Sequence, residues 1–280
     1  MWRRGARALK TIVTHSRGAL QLSRSCMNLI PAASNSAVLR TLPLLSGIDN
    51  RDTDLLLLRC LSNDSSEIRA SAIHNLTGSG ISRSTVDVLV MRLASSSEDS
   101  LVLKEAAYAL GRLKRSEAIF ALVPLLKHAD EPVQRASLWA LRNITRQKFE
   151  NDTTRWELWL EGQSKFSHSE FEALTSEFYA GPHDLRPVLL EEMENFPLLR
   201  KNVAAFALTV LRHPDFTVRS AACNLLAQAG DFEAVPSLIT SLLDPKLEVS
   251  ASAWRALRAL TGQKLCNRFA DWDAWLRNRG

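Results

Sequence analysis

The sequence predicts an all-α protein, a right-handed α-solenoid of antiparallel helix pairs divided into two blocks. Three observations support this prediction. A short apolar phrase recurs five times at helical spacing, apolar helical runs and turns precede its copies, and one stretch of the chain can be laid over another without gaps. Recurrence at intervals of 31 to 34 residues is typical of repeat proteins, in which each unit packs on its neighbours.

The recurring phrase consists of Ile or Val, a small residue four positions later, and Leu eight positions later. Its copies are Ile68-Ala72-Leu76, Val102-Ala106-Leu110, Val133-Ser137-Leu141, Val218-Ala222-Leu226 and Val249-Ala253-Leu257. This spacing places the three side chains on one face of an α-helix, and the small middle residue lets a neighbouring helix approach closely. Three copies follow a turn with Asp and Pro, where Asp can cap the next helix. Each copy is therefore predicted to be the second helix of a pair.

Residues 1–36 are predicted to form a basic N-terminal segment, either amphipathic or disordered. Residues 1–48 contain seven Lys or Arg and no Asp or Glu, whereas the rest of the chain has 28 basic and 30 acidic residues. The pI of 9.2 is therefore no evidence that the folded body binds nucleic acid. An Arg-rich amphipathic segment resembles a mitochondrial presequence, or a tail that touches a membrane surface or the import machinery. We expect a cytoplasmic protein, or a mitochondrial matrix protein if this segment is a presequence.

The folded body is predicted to consist of a first block over 37–163, a partly helical connector over 164–199, and a second block over 200–280. A shift of 116 residues lays 99–163 on 215–279, with identical residues at 19 of 65 positions. The two blocks are therefore expected to share one architecture.

Each block ends in the same tail, which reads Thr-x-Gln-Lys, a loop, and then Trp-x-x-Trp-Leu. The tail contains Trp156 and Trp159 in the first block, and Trp272 and Trp275 in the second. Because a solenoid leaves the apolar face of its last helix pair open, we expect these tryptophans to cap the blocks. The alternative is a ligand cage, since two indoles one turn apart can flank a planar or cationic group.

The repeated unit resembles HEAT repeats, whose second helix typically reads Asp, a few residues, then Val-Arg-x-x-Ala-x-x-Ala-Leu. Residues 68–76 (Ile-Arg-Ala-Ser-Ala-Ile-His-Asn-Leu) and 218–222 (Val-Arg-Ser-Ala-Ala) match this pattern most closely. The short units are similar to those of the bacterial-type and bilin-lyase-like subclass. The resemblance covers roughly 50–163 and 200–280, and it implies an architecture without specifying a function.

Several kinds of chemistry lack their sequence patterns here. None of the six histidines is followed by Glu, so the His-Glu pairs through which HEAT-like deoxyhypusine hydroxylases bind a di-iron centre are missing. There is no H-E-x-x-H, Gly-rich phosphate loop, G-x-S-x-G or EF-hand pattern, and the four cysteines form no C-x-x-C pair. No run approaches the roughly 20 apolar residues that span a bilayer. We expect no catalytic residue, metal, cofactor or transmembrane segment.

The candidate binding surface is a row of side chains on the second helices that point away from the core, named the inner row here. It contains six basic side chains and three aromatic or imidazole rings. Its members are His74, Lys104, Tyr108, Arg112, Arg135, Trp139, Arg142, Asn224, Arg255 and Arg258. Aromatic and Arg side chains dominate binding energy at protein interfaces. An ordinary solvated face is the alternative, because Lys and Arg are frequent on any helix surface.

From these residues we predict a non-enzymatic interaction or scaffold module that holds a protein partner with an acidic segment against its concave face. One alternative is a nucleic-acid-binding protein similar to HEAT-like DNA glycosylases. The basic inner row favours this alternative. Such an enzyme also needs an acidic group near the damaged base, and Glu105 is the one acid placed on that row. A second alternative is a bilin-lyase-like chaperone, which the repeat subclass alone suggests.

Overall fold

The structure, a computed structural model, describes residues 23, 25–26, 33–45, 51–76 and 83–279. Most of the basic segment 1–36 therefore lies outside the described residues. Within the described residues the chain is helical and contains no strand. In this part of the chain, no helix combines the length and the apolar character that a membrane span requires.

Most α-helices of the described residues are short, and they form antiparallel pairs. In chain order they are α1 (Asn35–Thr41), α2 (Arg51–Cys60), α3 (Ser66–His74), α4 (Arg83–Ala94), α5 (Ser100–Arg112), α6 (Ile119–Leu122), α7 (Glu131–Thr145), α8 (Thr153–Ala180), α9 (Arg186–Glu192), α10 (Arg200–Val210), α11 (Phe216–Ala229), α12 (Val235–Ser241), α13 (Leu247–Thr261) and α14 (Phe269–Arg279). Short 3-10 helices at Leu42–Leu45, Ser116–Ala118, Pro124–Lys127, His183–Leu185, Met193–Asn195, Pro197–Leu199 and Phe232–Ala234 extend or join them.

The five copies of the phrase lie on α3, α5, α7, α11 and α13, except that Leu76 follows the end of α3, and each of these helices packs against the helix before it. Every phrase side chain is buried, with at most 3% of its surface exposed. Burying one Val, Leu or Ile is worth about 1.5–3 kcal/mol, so the phrase supplies much of the core. The second helices also pack side by side, α3 on α5, α5 on α7 and α11 on α13. The predicted α-solenoid of helix pairs is confirmed.

Two arginines at equivalent phrase positions tie successive turns together. Arg219 donates to two carbonyls of the turn before α11 and, through Nε and Nη2, to the Asp244 carboxylate of the next turn. In the first block Arg69 likewise donates to two carbonyls of the turn before α3, and its Nη2 donates to Glu98, whereas its Nε has no acceptor among the described residues. Asp215 caps α11 as expected, by accepting from a backbone N–H at 2.8 Å. Asp244, in contrast, does not cap α13, because Lys246 is at the N-cap position; the Asp244 carboxylate accepts from Arg219 and from the backbone N–H of Lys246.

The segment 164–199, predicted as a connector, is helical over most of its length. Helix α8 runs without a break through 28 residues, so the predicted boundary at 163/164 falls inside it. Gly162 costs the helix about 1 kcal/mol of propensity, which is too little to end it. Farther along, Phe178, Leu190 and Met193 are buried in the same core as α10 to α13. The second half of this segment thus belongs to the second core, while a separate core extends from Cys26 to Trp156.

Candidate functional site

Six members of the inner row line one open groove on the first block. The groove has a volume of about 580 Å³. Its lining residues are His74, Lys104, Glu105, Tyr108, Arg112, Pro132, Arg135 and Trp139. They come from α3, α5 and α7, which lie side by side, so side chains at equivalent helix positions face the same space. The helical periodicity therefore brings together residues that are up to 65 positions apart in the chain.

An aromatic pair forms the floor of this groove. The rings of Tyr108 and Trp139 meet edge to face, with centroids 5.3 Å apart and an interplanar angle of 64°. Gly111 makes room for the indole, because a Cβ at that position would lie 2.7 Å from Cζ3 of Trp139 and 2.8 Å from the Ala140 backbone. The indole is nevertheless 39% exposed. It is thus held on one side by α5 and remains open to a ligand on the other.

Basic side chains surround the aromatic pair. The Glu105 carboxylate accepts from His74 Nδ1 at 3.0 Å and lies 3.3 Å from Lys104 Nζ, so both of its oxygens are occupied. Arg135 pairs at 2.8 Å with a Glu four residues earlier, and both side chains are largely exposed, which makes the pair weak. Arg112 is exposed and makes no hydrogen bond or ion pair among the described residues. The groove therefore offers cationic groups that a ligand could engage.

Four members of the inner row lie outside this groove. The Arg142 guanidinium donates to a carbonyl of the loop after α7 at 2.9 Å, so it closes that loop. Asn224 is exposed on α11. On α13, Arg255 donates to a serine hydroxyl of its own helix, and Arg258 stacks 4.9 Å above the ring of Trp254. The second block thus presents polar and basic groups in place of an aromatic floor.

The internal duplication explains this difference. A shift of 116 residues places Tyr108 on Asn224 and Trp139 on Arg255. The helices have kept their positions in both blocks, whereas the two aromatic rings are present in the first block alone. The aromatic groove is therefore a property of the first block and not of the repeat.

The tail tryptophans of both blocks have the same environment. Trp156 and Trp272 have no exposed surface, and each Nε1 donates to the carbonyl six residues earlier, at 3.1 and 2.9 Å. Trp159 and Trp275 meet them edge to face, each with centroids 5.9 Å apart. A ligand cage needs open ring faces, which the first ring of each pair does not offer. That these rings cap the blocks stays a prediction.

The C-terminal ends of three second helices converge on Arg200, a residue that the sequence did not mark. Its guanidinium donates to the carbonyls of Lys114, Ile144 and Gln228, at the ends of α5, α7 and α11. Helix C-termini carry partial negative charge, which stabilises a cation there. Burial lowers the pKa of Arg200 to about 10, so the group is still charged at neutral pH. One side chain thus joins the first block to the second.

Two residues beside this joint adopt a left-handed backbone. Lys114 and Arg146 have φ of 51° and 62°, whereas the residues 116 positions later are Gly230 and Gly262, with φ of 72° and 69°. A side chain in this conformation costs roughly 1–2 kcal/mol. In the first block, both residues make contacts that offset this cost. Arg146 pairs with Glu194 at 2.6 Å, and the carbonyl of Lys114 accepts a hydrogen bond from Arg200. Comparison of the two blocks could have marked these positions, because a Gly-to-basic difference at a helix end is unusual.

The described residues offer little for covalent or metal chemistry. No three His, Cys, Asp or Glu side chains within them come together as metal ligands. Burial raises the pKa of Cys60 to about 11 and that of Cys223 to about 12, so both are thiols and poor nucleophiles at neutral pH.

The paired helices, the repeated phrase and the side-by-side second helices define a helical-repeat protein of the α-solenoid class. The sequence profile of HEAT repeats matches residues 53–142 and 204–278, which together are more than half of the chain. The chain belongs to the HEAT-repeat family. This confirms the resemblance seen in the phrase and agrees with the two blocks of helix pairs.

Solved structures and curated proteins add no information about function. The chain is similar to one crystal structure of an engineered protein, with 21% identity over 91% of this chain and 96% of that chain and a TM-score of 0.30. A second engineered protein has 19% identity over 92% and 99%, with a TM-score of 0.28. A structure of TOG domain arrays, concerned with tubulin recruitment by microtubule polymerases, has 16% identity over 80% and 64%, with a TM-score of 0.28. No curated protein matches the chain. At these TM-scores the similarities carry no argument.

Proposed function

We propose that this HEAT-repeat protein is a non-enzymatic interaction module, in which the groove formed by α3, α5 and α7 holds an acidic segment of a partner protein. The observation that carries the proposal is the half-open Tyr108–Trp139 pair with cationic side chains around it. HEAT-repeat solenoids commonly act as surfaces for protein partners, and this groove is where the chain departs from its own repeat.

The charge of the groove favours an acidic ligand. Lys104, Arg112 and Arg135 line it, and Glu105 is already engaged by His74 and Lys104. This local positive charge contrasts with residues 49–280, which carry two more acidic than basic side chains. Complementary charge increases the rate of association and excludes wrong partners.

The aromatic pair supplies the anchor that charge alone does not. Aromatic side chains and Arg are the residue types that most often dominate binding energy at interfaces. The indole of Trp139 presents an apolar face that a Pro, aromatic or aliphatic residue of the partner can cover. We therefore expect a partner segment in which acidic residues flank at least one apolar residue.

The test combines partner capture with direct binding. Proteins captured by the full chain are identified, and a fluorescein-labelled peptide of the captured partner's acidic segment is titrated in fluorescence anisotropy. We expect the variant Tyr108→Ala/Trp139→Ala to bind at least 10-fold more weakly. The matched control Asn224→Ala/Arg255→Ala, at the equivalent positions of the second block, should bind as the wild type does. Raising the salt concentration should weaken binding, because part of the attraction is electrostatic.

Three results would count against this function. Equal peptide affinity of the wild type and the aromatic variant would place the partner elsewhere. Tighter binding of random duplex DNA than of acidic peptides, with steep salt dependence, would favour the nucleic-acid alternative. A change in the absorbance spectrum of an added tetrapyrrole would favour the bilin-lyase-like alternative.

A further inference from the structure

A second cavity lies where the two blocks meet, and Arg200 is one of its lining residues. Its volume is about 370 Å³, within the range of about 300–1,000 Å³ that small-ligand sites occupy. Its lining includes the apolar residues Val86, Leu208 and Phe232 together with several basic side chains. The cavity thus combines an apolar surface with cationic groups, at a boundary between two packed units, where ligand sites are frequent.

Apart from Arg200, the basic side chains of this cavity are only loosely paired. Arg115 donates from Nη1 to the Gly230 carbonyl at 3.3 Å, while its Nε is shielded from solvent and has no acceptor among the described residues. Lys114 Nζ lies 3.4 Å from an amide oxygen, at the outer limit for a hydrogen bond. Lys201 Nζ lies 3.9 Å from a carboxylate oxygen of Glu117, beyond hydrogen-bond distance. A negatively charged ligand in the cavity would supply the acceptor that these donors lack.

Acidic residues also line the cavity, and their positions limit what can bind. Asp231 accepts from the backbone N–H of Glu233 at 3.0 Å, so its carboxylate is used within its own turn. Glu233 is exposed, and Glu117 is 35% exposed. Burial, together with the charges of Arg146 and Arg200, lowers the pKa of Lys114, while Glu194 opposes this shift. Because the lining carboxylates repel additional negative charge, a ligand with a single negative group is favoured over a polyanion.

We propose that this inter-block cavity binds an apolar molecule that carries one carboxylate. Nη2 of Arg115 donates to no described residue, and Lys114 Nζ is held only by a 3.4 Å contact, so both groups can donate to the carboxylate of a ligand. The apolar body of the ligand packs against Leu208 and Phe232. The ligand is either a free organic acid or the C-terminal residue of a peptide, since both present the same carboxylate. This site is distinct from the groove of the first block.

Three probes titrated into the full chain by isothermal titration calorimetry test the proposal. N-acetyl-leucine represents a peptide C-terminus, 4-methylpentanoate is a free acid of similar shape, and N-acetyl-leucinamide lacks the carboxylate. We expect at least one acid to bind and the amide not to bind. Tighter binding of N-acetyl-leucine identifies a peptide C-terminus as the ligand, whereas equal or tighter binding of 4-methylpentanoate identifies a free acid.

Variants locate the binding at this cavity. Arg115→Gln removes the charge with little change in size, and it should weaken binding of the acids at least 10-fold. Arg40→Gln, at an exposed position on α1 that lines neither the cavity nor the groove, is the matched control and should leave their binding unchanged. Lys201→Ser is a second variant, at an exposed side chain, for the case that Arg115→Gln does not fold. It should weaken binding of the acids several-fold. The proposal is wrong if neither acid binds the wild type, if the amide binds equally well, or if the variants that fold bind as the wild type does.

Discussion

Replacement of Arg200 by Met tests whether one side chain joins the two blocks. Met preserves the length and apolar volume of the side chain while removing the charge and every donor. Three carbonyls at helix ends then lose their shared partner. A hydrogen bond to a charged group is worth about 1.5–3 kcal/mol, but water can reach some of the freed carbonyls. We therefore expect Arg200→Met to lower the free energy of unfolding by about 3–5 kcal/mol, the usual effect of breaking a buried charged network.

The assay is urea denaturation of the full chain followed by circular dichroism. Lys201→Met is the matched control, because Lys201 is 63% exposed and its nearest carboxylate oxygen lies 3.9 Å away. Its unfolding free energy should stay within about 0.5 kcal/mol of the wild type. Because Arg200 connects two hydrophobic cores, we also expect the transition of Arg200→Met to separate into two steps.

The outcome that would refute this reasoning is specific. If Arg200→Met unfolds in a single transition and its stability is the same as that of Lys201→Met, the contact between the two blocks does not depend on the Arg200 guanidinium. Hydrogen exchange would then be expected to show equal protection of α10 in both variants. In that case, the apolar contacts around α8 would hold the blocks together.

Three further predictions concern packing and charge. Gly111→Ala should destabilise the protein by about 1–3 kcal/mol, because the added Cβ overpacks against Trp139. Gly162→Ala should stabilise the protein by about 0.5–1 kcal/mol, because nothing lies within 4 Å of the added Cβ on α8. Urea denaturation of the two variants measures these changes. Trp272→Ala should cost about 3–5 kcal/mol in the same assay, and an unchanged transition would contradict the capping role. The hydrogen bond from Arg219 lowers the pKa of the Asp244 carboxyl. The pair therefore stabilises the folded protein above the unfolded pKa of about 3.9, and this stability is lost as the pH falls through the lower pKa of the folded state. The free energy of unfolding of Asp244→Asn should therefore be about 2 kcal/mol lower than that of the wild type at pH 7. Between pH 5 and pH 2 the variant should lose less stability than the wild type does. A pH series of melting temperatures in which the variant parallels the wild type would exclude this role.

The helix pairs could be predicted because their signal is local. A Val, a small residue and a Leu at spacings of four and eight define one buried face of a helix, whatever lies elsewhere in the chain. The same periodicity placed Tyr108 and Trp139 on the opposite face, and the structure brings them together. It could not show that Arg142, on the same row, turns back to the loop after α7, because that contact depends on where the loop goes.

The connector shows a different limit. The end of the Trp-x-x-Trp-Leu tail suggested a boundary near residue 163, yet α8 continues to Ala180. Whether a helix ends depends on what its later turns pack against as well as on propensity. Here Phe178 finds a buried position in the second core, and that contact is not visible in local sequence.

The sequence by itself determined the repeat, the pairing of helices and the duplication into two blocks, because each of these follows from the periodic placement of apolar side chains within one or two helices. Only the tertiary structure decided how the blocks meet. The carbonyls that Arg200 joins belong to residues 114, 144 and 228, and they converge because three helices end at the same place. Periodicity reports which face of a helix is buried, whereas the position of its end relative to distant helices depends on the packing of the whole chain.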